Sequence, residues 1–196
     1  MGAVLAIVAV AGIVGVTYLV MQNQQSSNGA SMDSEGSSGD FNQAIPADST
    51  DSSTVVAPGI MALARGIARG EGFLVSGSLS QRSHNPGDLT KSFGNAVTGV
   101  ANKEGVLIFA TLQDGWNALY SQLALIFAGN SKAYNLDMTI LEFAATWTLG
   151  RAPRTREEQQ SVSGWAVSVL EELNKTAEVA NAGALSADST LGDISV

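Results

Sequence analysis

The sequence predicts a mainly α-helical domain with one small extended element, preceded by a single N-terminal transmembrane helix and a flexible linker. Three observations lead to this prediction. The N-terminus has a long uncharged apolar run, a stretch rich in Ser, Gly, Asn and Asp follows it, and apolar residues then recur at helical spacing. We divide the chain accordingly into an anchor (1–21), a linker (22–57), a domain (58–175) and an acidic flexible tail (176–196).

The apolar run AVLAIVAVAGIVGVTYLVM occupies residues 3–21. As a helix rising ~1.5 Å per residue it is roughly 28 Å long, close to the thickness of the hydrocarbon core of a bilayer. A cleaved signal peptide is the alternative, but no Lys or Arg precedes the run, the run is long for such a segment, and no clear small-x-small cleavage site follows it. We therefore expect a single-pass membrane protein held in the membrane by residues 3–21.

The linker carries acidic residues and no basic residue, and it contains few large apolar side chains. Such a segment cannot bury enough surface to offset the entropy of ordering, so we expect it to be flexible. A flexible chain of this length has an r.m.s. reach of roughly 30 to 35 Å. The linker would therefore let the domain explore the space beside a membrane.

Charge and composition exclude several classes of function. The net charge is −8, and all 10 Lys and Arg residues lie between positions 58 and 175, where an equal number of acidic residues balances them. A basic face for nucleic acid is therefore not expected. The chain has no cysteine and one histidine, which excludes disulfides, thiolate nucleophiles and cysteine- or histidine-rich metal sites. We expect no metal and no cofactor.

The first helix of the domain is predicted to begin at Pro58, since proline is favoured in a first turn. Ile60, Leu63, Ile67 and their neighbours follow at helical spacing. Glu71 continues this apolar stripe at the point where Gly70 and Gly72 break the pattern. The sequence thus predicts a carboxylate on the apolar side of a helix terminus.

The rest of the domain is predicted to contain a short extended segment and three further helices. The turn-rich stretch after Glu71 leads to VLIFAT (106–111), which is typical of a short strand. Thr111 with Asp114 predicts a capping box that opens a helix ending near Gly129. MTILEFAATWTL (138–149) predicts the next helix, and TREE (155–158) predicts a second capping box before the last one.

A carboxylic acid in an apolar setting loses the solvation of its charged form, which raises its pKa. A general acid for glycosidic cleavage needs such a raised pKa, because it must donate a proton to the leaving oxygen. Glu71 is therefore the candidate acid, although most Glu residues beside glycine are solvated helix ends. Trp116 and Tyr120 lie on an apolar helical stripe, which favours a place in the core over a sugar platform.

Four segments in order carry a resemblance to a known family: IARGEGF, QRSHNPGDL, GVLIFATLQDGWNALYSQLALI and MTILEFAATW. Together they resemble the lysozyme-like, lytic transglycosylase-like domain of phage and prophage virion-associated muralytic proteins. In that family a helix ends in Glu-Gly, an Arg/Asn-rich turn leads into Asn-Pro-Gly-Asn/Asp-Leu, and a DGW helix follows a short apolar segment. The resemblance covers roughly residues 58–150 and departs from the family pattern at His84, often Asn there, and after Trp147.

The resemblance implies that Glu71 is the general acid/base of a glycosidase or lytic transglycosylase acting on peptidoglycan glycan strands. It implies that Arg82, His84 and Asn85 lie on the cleft wall, with His84 or Asn85 hydrogen-bonding a sugar. Asp88 is assigned to substrate binding, although an Asp after Pro-Gly more commonly caps a turn. With no clear second carboxylate, the sequence favours an anhydro-forming route.

The resulting hypothesis is a membrane-anchored peptidoglycan-cleaving enzyme, a lytic transglycosylase or muramidase, associated with a phage or virion. Its domain would lie outside the cytoplasm or on a virion membrane, with virion or envelope proteins as further partners. One alternative is a catalytically inactive lysozyme-like structural protein of a membrane-containing virion or envelope. Another alternative is a cell-wall binding module.

Overall fold

A computed structural model describes residues 56–91, 99–176 and 183–194. This part of the chain is mainly helical, which confirms the predicted α class. The predicted membrane anchor and nearly all of the predicted linker lie outside the described residues. Within the described residues, no helix is both long enough and apolar enough to cross a bilayer.

The described elements are five α-helices, two short strands and a final 3-10 helix. In chain order they are α1 Pro58–Gly70, α2 Leu79–Arg82, β1 Val100–Ala101, β2 Leu107–Ile108, α3 Leu112–Phe127, α4 Ile140–Leu149, α5 Arg156–Leu173 and the 3-10 helix Leu191–Asp193.

Helix α1 begins where the sequence predicts, with Pro58 in the first turn. Its apolar stripe is fully buried: Leu63 and Ile67 have no solvent exposure. The helix ends at Gly70, and Glu71 follows as its C-cap residue with its N–H donating to the Ile67 carbonyl at 2.8 Å. Gly72 then takes a positive φ of 69°, which glycine adopts without strain and which turns the chain away from the helix axis.

The predicted extended segment at 106–111 is confirmed over two residues. β2 pairs antiparallel with β1, with Val100 opposite Ile108 and Ala101 opposite Leu107. Leu107 also donates its N–H to the Leu89 carbonyl at 2.8 Å. This small sheet therefore joins the chain after the Asn-Pro-Gly turn to the start of α3.

The predicted capping box of α3 is present, because Thr111 accepts from the N–H of Asp114 while the Asp114 carboxylate accepts from the N–H of Thr111. α4 has the same arrangement in Thr139 and Glu142, and it ends at Gly150 with a left-handed φ of 66°.

Helix α5 carries only half of its predicted capping box. Thr155 accepts from the N–H of Glu158 as expected. The Glu158 carboxylate, however, accepts from the Arg154 N–H at 2.6 Å and forms a two-point ion pair with Arg151. These donors hold the pKa of Glu158 down at about 2. The Arg151 guanidinium is thus held by Glu158 at the start of α5.

Helices α1 and α5 pack closely along their length. Gly66 makes this possible, because a Cβ at that position would lie 2.6 Å from the Val169 Cα. At the C-terminal end of α1, the Arg69 guanidinium forms ion pairs with two carboxylates of α5, Glu171 at 2.7 Å and Glu172 at 3.1 Å. The C-terminal end of α1 is therefore fixed against α5.

The C-terminal segment differs from the predicted flexible tail. Residues 183–194 pack on the start of α4, and both Leu191 and Ile194 are buried. The Ser189 and Ala187 carbonyls accept the N–H groups of Ile140 and Leu141, which a helix's first turn leaves unpaired. These hydrogen bonds and the buried apolar side chains extend the folded domain to Ile194. The sequence did not predict this packing, because the segment is acidic and its two buried apolar residues are too few to show a helical or strand period.

Candidate functional site

Glu71 lies where the end of α1 meets the middle of α5. The indole Nε1 of Trp165 donates a hydrogen bond of 2.9 Å to its Oε1 atom. The side chain thus points toward the apolar interior, as the helical stripe predicts, although the residue keeps partial solvent exposure. A polar group in this position needs a hydrogen-bond partner, and the indole provides one.

Trp165 reaches Glu71 because Gly70 leaves room for its ring. A Cβ at Gly70 would lie 2.6 Å from Cδ1 and 2.7 Å from Nε1 of the indole. No side chain larger than hydrogen fits without displacing the ring. The glycine that ends the helical pattern therefore also sets the position of the group that binds the neighbouring carboxyl.

Aromatic side chains from α4, α5 and the loop before α4 form one continuous cluster beside Glu71. Its members, with ring centroids 5.4 to 6.3 Å apart, are Tyr134, Phe143, Trp147 and Trp165. Phe143 is buried, whereas Tyr134 and Trp147 are partly exposed. The cluster therefore joins the hydrophobic core to a surface next to the carboxyl group.

This environment raises the pKa of Glu71 to about 8. Loss of solvation is the largest cause, and the negative charge of Asp88 adds to it. The indoles of Trp165 and Trp147 act in the opposite direction, because donors favour the carboxylate. Burial and the Glu71 charge likewise raise the pKa of Tyr134 to about 12. Glu71 is thus predominantly protonated at neutral pH.

The structure brings Asp88 into the electrostatic range of Glu71. Asp88 has a positive φ of 46°, a left-handed conformation that Asp tolerates better than most residues. Its Oδ1 atom is buried without a hydrogen-bond partner among the described residues, and loss of solvation raises its pKa to about 7. Two carboxyl groups with raised pKa values therefore face the same region.

Asn85 is fully buried and holds this turn together. Its Nδ2 donates to the carbonyls of Leu89 and Leu107, both at 2.9 Å, and its Oδ1 accepts from the Leu89 N–H. No polar atom of its side chain faces solvent. Asn85 therefore has a structural role: it stabilises the turn that carries Asp88 and connects this turn to β2.

His84 and Arg82 lie on the exposed side of the same turn. The Nδ1 atom of His84 is 3.2 Å from the Phe109 carbonyl, and its backbone φ is 49°. The turn packs closely on α3, since a Cβ at Gly115 would lie 1.8 Å from the His84 carbonyl oxygen. The glycine of the DGW motif is therefore required for this contact.

Three residues of the site were not among the sequence-based candidates: Tyr134, Trp147 and Trp165. Apolar periodicity places Trp147 and Trp165 on helix faces, which is also true of ordinary core aromatics, and Tyr134 lies in the loop before α4 with no such pattern. Only the docking of α5 against α1 brings the Trp165 indole to Glu71. The tryptophan content of the α4 and α5 segments was the one available signal, and by itself it does not point to a carboxyl group.

A separate groove of about 450 Å³ lies between α4 and the start of α5. Its floor is mainly apolar, with Met138, Leu141 and Val162 among its lining residues. The acidic residue in its lining is Glu142, which already caps α4. Within residues 56–91, 99–176 and 183–194, no group of three or more His, Cys, Asp or Glu side chains could hold a metal ion.

No protein-family model, no curated protein and no solved structure matches this chain.

Proposed function

We propose that this protein is a membrane-anchored enzyme that cleaves peptidoglycan glycan strands, a lytic transglycosylase or muramidase, with Glu71 as its catalytic acid. The observation that supports this proposal is the Glu71 carboxyl, held in an aromatic setting that raises its pKa to about 8. A general acid must carry its proton at the working pH, and this carboxyl does so near neutrality.

In the proposed reaction, Glu71 donates its proton to the glycosidic oxygen as the bond between that oxygen and the anomeric carbon breaks. Positive charge then develops on the sugar ring. The Asp88 carboxyl, whose pKa burial raises to about 7, interacts electrostatically with Glu71 and, when ionised, supplies a negative charge near the proposed reacting sugar. That charge stabilises the cationic ring and at the same time disfavours ionisation of Glu71.

Two routes can then complete the reaction. In hydrolysis, water adds to the anomeric carbon and its proton returns to Glu71, which leaves a new reducing end. In transglycosylation, the C6 hydroxyl of the same sugar attacks, gives its proton to Glu71 and closes a 1,6-anhydro ring. Both routes regenerate the protonated acid, so a single Glu serves in either.

The surroundings of Glu71 also suit a carbohydrate. Partly exposed aromatic faces at Tyr134 and Trp147 can pack against the apolar faces of sugar rings. The exposed side chains of Arg82 and His84 would meet hydroxyl or N-acetyl groups from the other wall. Residues 3–21 would hold the protein in a membrane, with the domain outside the cytoplasm or on a virion membrane.

The decisive experiment is digestion of purified sacculi by the full chain and by Glu71→Gln, with mass spectrometry of the released muropeptides. Gln keeps the shape of the side chain and removes its acidic proton. We expect product from the wild type and a loss of at least about 100-fold in the variant, the range for removing general acid catalysis. The products would identify the route, because an anhydro end and a reducing end differ by one water.

Two other results would point elsewhere. If the wild type releases nothing but sediments with sacculi, the domain is a cell-wall binding module. If it neither cleaves nor binds, the inactive structural protein of a virion or envelope is the better hypothesis. Equal cleavage by wild type and Glu71→Gln would remove Glu71 as the acid.

A further inference from the structure

We propose that Trp165 is the positioning residue of the acid: its indole N–H holds Oε1 of Glu71 as an acceptor and thereby leaves the acidic proton on Oε2. The catalytic consequence rests on the proposed function. The hydrogen bond and the location of the proton do not depend on it.

The argument begins with the two different oxygens of a protonated carboxyl group. One oxygen is a carbonyl and accepts hydrogen bonds well, while the other carries the proton. The distance of 2.9 Å from Trp165 Nε1 to Oε1 is typical of a hydrogen bond, and an indole N–H can only donate. The protonated state in which Oε1 is the carbonyl oxygen is therefore favoured, and Oε2 becomes the proton donor.

The indole is held firmly enough to perform this task. Trp165 is only 5% exposed, and its ring packs against Phe143 and Trp147 at centroid distances of 5.8 and 6.3 Å. The backbone at Gly70 lies against Cδ1 and Nε1 of the ring, with no room for a Cβ. The donor thus has a fixed position relative to the helix end that carries Glu71.

Other titratable groups near Glu71 come from each element around it. Asp88 approaches from the turn after α2 and Tyr134 from the loop before α4, and both interact with the Glu71 charge. Arg69, on α1 itself, is engaged by Glu171 and Glu172. The negative charge of Asp88 opposes ionisation of Glu71, whereas the indole donors of Trp165 and Trp147 favour it, Trp165 with the larger effect of the two.

The test uses the full chain in detergent micelles and the substitution Trp165→Phe, which removes the donor and keeps an aromatic ring. The Glu71 carboxyl carbon is followed by ¹³C NMR against pH, with its signal assigned by Glu71→Gln. We expect the Glu71 pKa to rise, because a donor that favours the carboxylate is lost. With sacculi as substrate, we expect kcat to fall about 10- to 100-fold and the alkaline limb of its pH profile to move to higher pH.

Val169→Ala is the matched control. Val169 lies one turn further along α5, where its backbone faces Gly66 of α1, and its side chain is fully buried in the core, so the substitution removes core packing without touching Glu71. It should lower the melting temperature and leave the Glu71 pKa unchanged. An equal pKa in the wild type, Trp165→Phe and Val169→Ala proteins would overturn the proposal.

Gly70→Ala provides a second variant if Trp165→Phe does not fold. Its new methyl group displaces the indole without changing the ring, so it should raise the Glu71 pKa in the same direction. If both variants raise the pKa while the wild-type protein releases no muropeptides, the positioning role of Trp165 stands and the proposed enzymatic function fails. An unchanged pKa in folded Gly70→Ala would contradict the positioning role.

Discussion

The indole Nε1 of Trp165 donates to the Glu71 Oε1 atom at 2.9 Å across 94 positions of the sequence. This hydrogen bond joins the end of α1 to the middle of α5, and it lies at the edge of the aromatic cluster. A carboxyl group thereby gains a partner that orients it without neutralising it. Burial and the charge of Asp88 outweigh the donor, so the pKa of Glu71 stays well above its ordinary range.

Stability should fall with rising pH because of Glu71. Its pKa is about 8 in the folded chain and near the ordinary 4.5 in the unfolded chain, so between these values the folded state binds more protons. The favourable contribution is complete below about pH 4.5 and is lost as the pH passes 8. At pH 9 the free energy of unfolding of Glu71→Gln should therefore exceed that of the wild type by about 1 to 3 kcal/mol, after allowance for the partial exposure of the side chain.

The same pair of proteins at pH 4.5 is the control, because Glu71 is protonated in the folded chain there and the advantage of Gln should largely disappear. Equal stability of the two proteins at both pH values would show that the Glu71 pKa is not raised in the folded state. Chemical denaturation monitored by tryptophan fluorescence provides the measurement.

Asp88→Asn should shift the pH profile of the proposed glycan cleavage toward lower pH. The substitution removes the negative charge that raises the pKa of Glu71, so the acid would lose its proton at a lower pH. The alkaline limb of kcat/KM against pH is the measurement, because it reports the free enzyme's acid. Asp137→Asn, which changes an exposed carboxylate before α4, should leave that limb in place. A shift in the opposite direction would show that the Asp88 charge does not raise the pKa of Glu71.

Asn85→Asp should destabilise the domain by about 2 to 4 kcal/mol, because a buried carboxylate oxygen replaces the Nδ2 donor and faces the carbonyls of Leu89 and Leu107. Leu89 still accepts from the Leu107 N–H, so the lost hydrogen bond matters most at the Leu107 carbonyl. His84→Asn in the same turn should change the free energy of unfolding by less than about 0.5 kcal/mol, since Asn accepts a positive φ and the side chain is exposed. The melting temperatures of the two variants, measured by thermal denaturation, provide the comparison. Similar melting temperatures for the two variants would contradict the structural task of Asn85.

Leu191→Ala should cost about 2 to 4 kcal/mol, as expected for a large-to-small change at a fully buried site. Val167→Ala, at a position of α5 that is 52% exposed, is the matched control and should cost well under 1 kcal/mol. Urea denaturation of both variants gives the comparison. An equally small effect for Leu191→Ala would mean that the C-terminal segment does not belong to the folded domain in solution.

Helix starts and ends could be predicted from the sequence because their causes are local. Pro58 in a first turn, the Thr111–Asp114 capping box and the glycine after α1 each act within a few residues. The same reasoning placed Glu71 on the apolar side of a helix end. The capping box predicted for α5 was only half right, since the Glu158 carboxylate accepts mainly from Arg151 and Arg154.

By itself, then, the sequence determined the helical class, most caps and the candidate acid, since hydrophobic period and capping are properties of neighbouring residues. Only the tertiary structure decided what surrounds that acid. Trp165 reaches Glu71 through the close packing that Gly66 and Gly70 allow, and Asp88 approaches it through a turn that Asn85 fixes. The ordered C-terminal segment has the same origin, because its carbonyls pair with the first turn of α4. Such contacts depend on how elements dock, which no local pattern encodes.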